Sequence, residues 1–537
     1  TVAGGGTGCL LGLQVCRAHP FAFAVTRHRA HGAGTDTVFN SSVAPLIYKD
    51  QFISFATALP VGSRILGLGE STHKHLAMQP GQTRSMWAKD LNPSFFNVNT
   101  YGAHPFFISV GKGGSAYGVL LLTSHGLEMS LSSDSSHMAY RLIGGVVELY
   151  IFAGPTVKEV VSQYLEAVGR PAMMPLWALG FHNCRWGYKD LAELEAYLSR
   201  TAPRGHLTRT IWPGPVHFPD FLHPGTQAWW TQHVAEFLKL VPADGLWIDM
   251  NELANHCNFD GLAQECHRAN DVEAARCRSS DSHPCCTSFF SHLVKEVTVC
   301  RPMDVNNSLG FLPYRIRNGQ AAAALPLGHG TSPPSALHYG GTPDYEVHST
   351  YGLLESKATA GVLAAIRPQR RPFVFSRSTY VGQAKYGAHW LGDNNAAWED
   401  LRASVTGILS FSLLGAPMTG SDICGFSLNT TEELCNRWVQ VGAFAPFSRV
   451  HNGWGNIPQE LYRWDTVGES ARSALSLRYC LLPYLYTLFY SAHINGTMVA
   501  QPLFVAFPND DHVFTVAETQ FMWGDAVLVT PVLEEGA

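Results

Sequence analysis

An alternation of short apolar segments with longer helix-like segments, running from about Pro171 to His493, constrains the fold of this chain most strongly. The strand-like segments are Leu176–His182, Gly245–Asn251, Pro372–Ser378 and Gly387–Asp393. The helix-like segments around them are Thr156–Val168, Asp190–Ser199, Thr226–Leu240, Thr431–Gly442 and Ser470–His493. Strands that alternate with helices form a parallel sheet, and at this length we expect an α/β fold of the (β/α)8 TIM-barrel type.

β-rich segments flank this region on both sides. Between about Pro45 and Pro155, short apolar runs separated by Gly, Ser, Asn and Pro predict an N-terminal β-sandwich. A polar, cysteine-rich stretch interrupts the alternation, and β character returns beyond Asn495. The predicted domains are a sandwich at 1–155, a barrel at 156–493 with an insertion loop at 255–337, and the start of a C-terminal β-sandwich at 494–537. Both ends of the sequence suggest truncation.

Charge and cysteine content narrow the class of protein. Only 15% of the 537 residues are charged, the net charge is −5, and no long basic run occurs, so we expect no nucleic-acid partner. No apolar run reaches the ~18–20 residues of a transmembrane helix. Twelve cysteines and four glycosylation sequons favour the secretory pathway, and thus an extracellular, vacuolar or lysosomal location. The sequons are at Asn40, Asn306, Asn429 and Asn495.

Two carboxylates follow one of the predicted strands. In Gly245-Leu-Trp-Ile-Asp-Met-Asn-Glu252, an apolar stretch leads directly to Asp249 and Glu252. Side chains at the C-terminal ends of barrel strands face the active site. By itself, however, this segment favours the interpretation that Asp249 caps the next turn or helix.

A second strand ending in a carboxylate favours catalysis. His389-Trp-Leu-Gly-Asp393 ends in Asp393, and Arg377 ends a third strand nearby. A glycosidase needs two carboxyl groups beside the scissile bond, one ionised and one that keeps its proton. A neighbouring arginine stabilises the ionised form, while burial raises the pKa of the other group. The pattern therefore predicts glycoside hydrolysis, with Trp212, Trp247 and Trp390 as walls of a sugar site.

Metal binding is the rival interpretation of such carboxylates. The sequence has 24 histidines, but none forms a His-x-x-x-His pair and no cysteines form Cys-x-x-Cys beside Asp249 or Asp393. A serine nucleophile elbow and a Walker phosphate loop are also missing. The sequence therefore predicts neither a metal ion nor an organic cofactor.

Three segments together resemble the signatures of glycoside hydrolase family 31. Trp247-Ile-Asp-Met-Asn-Glu252 resembles its nucleophile motif, and His389-Trp-Leu-Gly-Asp393 resembles its acid/base motif. The third is Gly420-Ser-Asp-Ile-Cys-Gly-Phe426. The resemblance extends from Tyr48-Lys-Asp-Gln51 to Ser473–His493 and is strongest to plant α-glucosidases and α-xylosidases.

The resemblance implies a role for each matching residue. Asp249 would be the nucleophile, Asp393 the acid/base, and Glu252 a support for the nucleophile. Cys424 and Cys435 would form a disulfide, closing an ~11-residue loop. Asp422 would be a structural carboxylate or one that supports the residues touching the sugar, and Arg377 and His451 would contact sugar hydroxyls and the carboxylates. The implied walls of the first sugar subsite are Trp212, Trp247, Met250, Trp390 and Phe426.

The sequence departs from the family pattern in one place. Only 24 positions separate Tyr188 from Trp212, whereas a single βαβ unit needs ~30 or more. The family has two further strands here, the first ending in an Asp-x-Asp-Tyr-Met motif, and this sequence has neither. We therefore expect a barrel that lacks about two strands and a charged contact to the terminal sugar.

Three functional interpretations remain open at this point. The first is a retaining α-glucosidase acting on maltose, malto-oligosaccharides or starch through a covalent glycosyl-aspartate. The second is an α-xylosidase acting on xyloglucan oligosaccharides. The third is an inactive glycan-binding protein, or the product of a defective gene model. The expected partner in every case is an oligosaccharide or polysaccharide, and the oligomeric state is not predicted.

Overall fold

The computed structural model describes most of the chain. The described residues are 10–16, 20–28, 34–184, 186, 207–211, 214–255, 264–268, 285–286, 298–302, 308–309 and 312–537. None of the helices described there is long and apolar enough to cross a membrane.

The N-terminal part consists of antiparallel sheets. Its strands are β1 (Leu10–Cys16), β2 (Ala22–His28), β3 (Thr35–Asn40), β4 (Ile47–Lys49), β5 (Phe52–Ala58), β6 (Arg64–Ser71), β7 (Thr83–Met86), β8 (Asn99–Val110), β9 (Ala116–Leu121), β10 (Leu127–Leu131), β11 (His137–Leu142) and β12 (Leu149–Phe152). The two larger sheets have the orders β4-β5-β11-β10-β7 and β12-β9-β8-β6, and β1-β2-β3 forms a third. Every residue of β8 is buried, and side chains of both larger sheets join one hydrophobic core. The predicted N-terminal sandwich is confirmed.

The strands after the sandwich include those of the barrel. They are β13 (Phe181–Asn183), β14 (Leu207–Ile211), β15 (Gly214–Phe218), β16 (Leu246–Ile248), β17 (Gln264–Arg268), β18 (Cys285–Cys286), β19 (Thr298–Pro302), β20 (Val374–Ser376), β21 (Ala388–Trp390), β22 (Thr419–Gly420), β23 (Asp422–Ile423) and β24 (Ser448–Val450). Parallel pairing gives the orders β16-β20-β21-β22 and β13-β24-β23. Because only Ser421 separates β22 from β23, the two orders continue into one another. The predicted barrel fold is confirmed.

The helices lie between these strands and beyond them. They are α1 (Val157–Val168), α2 (Thr226–Leu240), α3 (Asp344–Val347), α4 (Tyr351–Ile366), α5 (Trp398–Leu413), α6 (Glu432–Gly442), α7 (Asp465–Asn495) and α8 (Leu503–Ala506). Helix α1 begins with a capping box in which Thr156 and Glu159 satisfy each other's backbone N–H groups. The end of the chain forms an antiparallel sheet of β25 (Ala500–Gln501), β26 (Phe521–Trp523) and β27 (Val527–Val529).

Strands β13 and β16 lie at the two ends of the parallel arrangement. Within the described ranges, β13 pairs with β24 alone and β16 pairs with β20 alone. The sequence predicted missing strands between these two segments, where residues 187–206 and 212–213 lie outside the described part. The antiparallel hairpin of β14 and β15 occupies part of the same stretch of chain. The absence of two barrel strands therefore stays a prediction.

Two elements differ from the sequence-based expectation. Leu176–His182 is not one strand, because Pro175 starts a 3-10 turn over Leu176–Leu179 and the strand begins only at Phe181. The stretch 255–337 is not purely a loop, since β17, β18 and β19 form an antiparallel sheet within it. The predicted helix Asp190–Ser199 lies outside the described residues.

Candidate active site

Three polar side chains follow neighbouring parallel strands. Asp249 comes directly after β16, Arg377 directly after β20, and Asp393 three residues after β21. Because β16, β20 and β21 are consecutive in the sheet, their C-terminal ends meet at one edge. The three side chains predicted from separate segments therefore lie together.

Arg377 is the centre of this group. Its buried guanidinium donates two hydrogen bonds to Glu252, from Nε at 2.9 Å and Nη2 at 3.0 Å. The same Nε lies 3.2 Å from Oδ1 of Asp249, and Nη1 donates to Oδ2 of Asp393 at 3.3 Å. Asp90 adds a fourth carboxyl group, 3.2 Å from Nη2. One cation thus faces four carboxyl groups.

Burial, with the excess of carboxyl groups over cations, raises the pKa of two carboxyl groups in the site. Burial raises the pKa of Asp393 well above its usual value, although Arg377 opposes the shift, and the charge of Asp249 raises it further. Burial likewise raises the pKa of Glu252 to about 8 against the pull of Arg377. The side chain of Asp249 is 37% exposed and that of Asp393 only 20%. The arrangement therefore places a solvent-exposed aspartate beside a mostly buried carboxyl group that keeps its proton.

The turn that carries Asp249 is held by local hydrogen bonds. Met250 adopts the left-handed region with φ of 56°, and its N–H donates to Oδ1 of Asp249 at 2.7 Å. Asn251 joins this turn to β20, because its Nδ2 donates to Ser376 Oγ and its Oδ1 accepts from the N–H of Ser378. These bonds fix Asp249 relative to Arg377.

Aromatic side chains line the neighbouring strands. The ring of Trp247, which is 40% exposed, meets Trp390 and His451 edge-on, at centroid distances of 5.4 and 5.2 Å. Phe426 stacks on His451 and on Trp186. Trp390 was predicted to face the sugar, but it is only 1% exposed and stacks on Phe375, so it supports the wall from behind.

A buried ion pair underlies this wall. Arg449 donates to Oδ1 of Asp422, from Nε at 3.1 Å and from Nη2, and its guanidinium lies 4.6 Å from the ring of Trp247. Burial and the charge of Arg449 lower the pKa of His451 to about 2, so its imidazole is neutral. Asp422 thus forms a buried ion pair with Arg449, an arginine to which sequence reasoning gave no role, and the structural role of Asp422 stays a prediction.

The N-terminal sandwich also contributes to the site, which the sequence did not predict. Asp90 follows β7, and Tyr101 lies in β8 with its ring centre 4.6 Å from the Arg377 guanidinium. The hydroxyl of Tyr101 accepts the N–H of Asp393 at 3.2 Å. A Cβ at Gly392, where φ is 79°, would collide with this ring. In the sequence, Trp87 and Asp90 are the residues that could have indicated a contribution of the predicted sandwich to the active site.

The remaining predicted residues are the disulfide pair, Trp212 and the four glycosylation sites. The disulfide between Cys424 and Cys435 is confirmed. Trp212 and Asn306 lie outside the described residues. Asn429 and Asn495 are exposed, and Asn40 caps a 3-10 turn by accepting from the N–H of Ser42, so glycosylation at these three positions stays a prediction. Over the described part of the chain, no group of three or more His, Cys, Asp or Glu residues could hold a metal ion.

Family models match three parts of the chain. The glycosyl hydrolases family 31 TIM-barrel domain matches residues 197–488. The family 31 N-terminal galactose mutarotase-like domain matches residues 19–129, and the family 31 C-terminal domain matches residues 496–537. The matches follow the sandwich, the barrel and the final sheet in that order.

Similar proteins include plant and animal glycosidases. An alpha-glucosidase of Hordeum vulgare is 37% identical over 97% of this chain, and alpha-xylosidase 1 of Arabidopsis thaliana is 38% identical over 96%. The lysosomal alpha-glucosidase of Rattus norvegicus is 36% identical over 96%. The chain covers 62% of each plant protein and 57% of the rat protein. The barley alignment spans 601 positions, 64 more than the 537 residues of this chain.

Solved structures share the fold at low sequence identity. The glucosidase II alpha subunit bound to Glc1Man2 has a TM-score of 0.72 at 19% identity, with 98% of this chain and 66% of that chain covered. A Flavobacterium johnsoniae dextranase complexed with glucose has a TM-score of 0.72 at 21% identity, with 98% and 68% covered. On the family models and the plant relatives together, this chain belongs to glycoside hydrolase family 31.

Proposed function

We propose that this chain is a retaining α-glucosidase that releases terminal α-linked glucose from maltose, malto-oligosaccharides or starch. The observation that carries the proposal is the pairing of Asp249 and Asp393 with one guanidinium at the C-terminal edge of adjacent strands. The alpha-glucosidase names of the barley and rat relatives support the choice of sugar. The chain spans less than two thirds of these relatives, so the proposal concerns this chain's own residues.

The two aspartates differ in ways that suit two separate roles. Asp249 is the more exposed, and the Met250 N–H and Arg377 stabilise its negative charge. It would attack the anomeric carbon and form a glycosyl ester. Asp393 is held protonated by burial, and would protonate the leaving oxygen before activating water to hydrolyse that ester. Glu252 keeps Arg377 in place through its two hydrogen bonds.

An α-xylosidase is the second candidate. The Arabidopsis thaliana relative named alpha-xylosidase 1 is as similar to this chain as the barley alpha-glucosidase, at 38% against 37% identity. A xyloside lacks the hydroxymethyl group of a glucoside, so selection between them depends on the shape of the first subsite. Trp247 and Phe426 are the described side chains that would border this group.

The location is proposed on the same basis. Plant and lysosomal relatives, together with the confirmed disulfide, support a site of action in the secretory pathway or the lysosome. The exposed Asn429 and Asn495 would be available there for glycosylation.

A turnover assay on two substrates tests the proposal. The chain and its Asp249→Ala variant are compared for release of 4-nitrophenol from the α-glucoside and the α-xyloside. Asp244→Ala, at an exposed aspartate five residues earlier, is the matched control. We expect the control to retain wild-type turnover and Asp249→Ala to lose at least about 10³-fold in kcat. A folded wild-type protein without turnover on either substrate would contradict the proposal, and would favour an inactive protein or the product of a defective gene model.

A further inference from the structure

A line of alternating carboxylates and imidazoles connects the barrel to the sandwich. We define the Asp–His chain as Asp220, His338, Asp344 and His348. His338 lies between two carboxylates, with Nδ1 2.9 Å from Asp220 Oδ1 and Nε2 3.2 Å from Asp344 Oδ1. Nδ1 of His348 lies 2.9 Å from the other oxygen of Asp344. Asp344 and His348 are completely buried, and His338 nearly so.

The Asp–His chain ends on the segment that carries Asp90. Nε2 of His348 faces the carbonyl oxygen of Ala88 at 2.7 Å, and the Ala88 N–H donates to Ser349 Oγ at 3.3 Å. The ring of Trp87 stacks on that of His348, with centroids 4.1 Å apart. Both backbone groups of Ala88 are thus bound by consecutive residues, two positions before the aspartate that contacts Arg377.

The hydrogen bonds of the Asp–His chain determine where its protons lie. A carbonyl oxygen only accepts, so the Ala88 contact requires a proton on Nε2 of His348. The same ring faces a carboxylate at Nδ1, and both nitrogens of His338 face carboxylates. A neutral imidazole donates from one nitrogen only. With both aspartates ionised, the complete set of bonds needs both histidines in the imidazolium form.

We propose that the Asp–His chain is a positioning device for Asp90, in which Asp344 orients the His348 ring and the contacts of His348 and Ser349 with Ala88 hold the Trp87–Asp90 segment against Arg377. The role in catalysis rests on the proposed glycosidase function. The positioning of the Trp87–Asp90 segment does not rest on that function, because its contacts lie outside the carboxyl cluster at Arg377.

The surrounding charges favour the protonated state of His338. Burial by itself would lower the pKa of His338, but hydrogen bonds and charges of Asp344 and Asp220 outweigh it, so the pKa is raised. The pKa of Asp344 is lowered because His348, His338 and Ser332 together outweigh its burial. Burial, together with the charges of Glu355, Asp220 and Asp344, raises the pKa of the neighbouring Tyr351. A histidine whose pKa is raised on folding stabilises below its ordinary value and loses that contribution as the pH rises through the raised value.

Hydrogen exchange of the segment tests the proposal without any substrate. Protection factors of the amides of residues 86–92 are measured from pH 5 to pH 9 in the wild type and in His348→Gln. His223→Gln, at a histidine near Asp220 that is not part of the Asp–His chain, is the control. We expect the control to match the wild type, and His348→Gln to lose about tenfold or more of this protection. Equal protection in wild type and His348→Gln at every pH would overturn the proposal.

A second variant and an activity measurement complete the test. Ser349→Ala removes the acceptor of the Ala88 N–H, and should lower the protection of residues 86–92 by a smaller factor than His348→Gln. If His348→Gln does not fold, unchanged protection in Ser349→Ala overturns the proposal. In kcat/KM, His348→Gln should fall about tenfold, because Asp90 is no longer held against Arg377. A wild type inactive on all glycosides would refute the proposed function but leave the exchange experiment decisive.

Discussion

At the scale of single residues, the guanidinium group of Arg377 organises the active site. The guanidinium presents several N–H groups in one plane, and here it meets Glu252 twice and Asp249, Asp393 and Asp90 once each. A lysine ammonium is a point charge that cannot make this planar set of contacts. The chemistry proposed for the two aspartates therefore depends on an arginine.

Arg377→Lys tests that dependence. We expect kcat/KM to fall about 100- to 1,000-fold, because the contacts to both aspartates are lost or misdirected. The measurement is turnover of 4-nitrophenyl α-glucoside. Arg370→Lys, at an exposed arginine paired with Asp244, is the control and should stay within about twofold of the wild type. Comparable losses in both variants would contradict the role given to Arg377.

The buried acid sets the alkaline side of the pH profile. Asp393 must be protonated to act first, and burial raises its pKa well above the usual value near 4. As pH rises, kcat/KM should therefore fall only at a pH well above that usual value. The profile is recorded from pH 3 to pH 9. Asp393→Ala should retain turnover of α-glucosyl fluoride, because the fluoride leaving group needs no acid. Loss of turnover on both α-glucosyl fluoride and 4-nitrophenyl α-glucoside would contradict the acid role.

At the scale of elements, the loop after β21 carries Asp393, and the loop after β23 carries Cys424 and Phe426. The disulfide between Cys424 and Cys435 ties the second of these loops to α6, with 11 positions between the cysteines. Phe426 and Asp422 lie within or beside that loop. The bridge therefore stabilises both the fold and one wall of the site.

Removal of the disulfide should be measurable in stability. The double substitution Cys424→Ala and Cys435→Ala is expected to lower the free energy of unfolding by about 2–3 kcal/mol, by the entropy of an ~11-residue loop. Thermal unfolding of the folded protein gives the comparison. Cys480→Ala, at an exposed cysteine outside any described disulfide, is the control. A double variant as stable as the control would contradict a stabilising role for the bridge.

Sequence patterns predicted elements better than they predicted contacts between domains. Helix α2 has the predicted bounds, because Gly and Pro residues before Thr226 mark its start. Asp249, Arg377 and Asp393 were found because each ends a strand. Asp90 and Tyr101 were missed, since they lie in the sandwich and reach Arg377 only through tertiary packing. Burial of Trp390 was also not visible in the sequence, because local pattern does not tell which side of a strand faces solvent.

At the scale of the whole molecule, the sandwich and the barrel form one site. Tyr101 and Asp90 from the sandwich contact Arg377, and Ala103 pairs with Tyr380 of the barrel as an isolated bridge. The long helix α7 joins the other end of the barrel through Arg478. Its guanidinium donates to the carbonyl oxygens of Leu179, Ala443, Ala445 and Pro446.

Arg478 is therefore expected to be important for stability. Arg478→Met keeps the aliphatic stem but leaves several buried carbonyl oxygens without a donor, which should destabilise the fold by about 3–5 kcal/mol. Urea unfolding measures the change. Arg472→Met, at an exposed position on the same helix, is the control and should change stability by less than about 0.5 kcal/mol. Equal effects would contradict the role of Arg478.

Covalent trapping of the nucleophile tests the central claim most directly. The protein is incubated with a mechanism-based α-glucosyl reagent whose glycosyl ester hydrolyses slowly, and the digested product is analysed by peptide mass spectrometry. The assignment of Asp249 predicts one added glycosyl group on the peptide containing Asp249, and none in Asp249→Ala. Labelling of a different carboxylate, or a folded protein that stays unlabelled while it turns over the α-glucoside, would contradict the account.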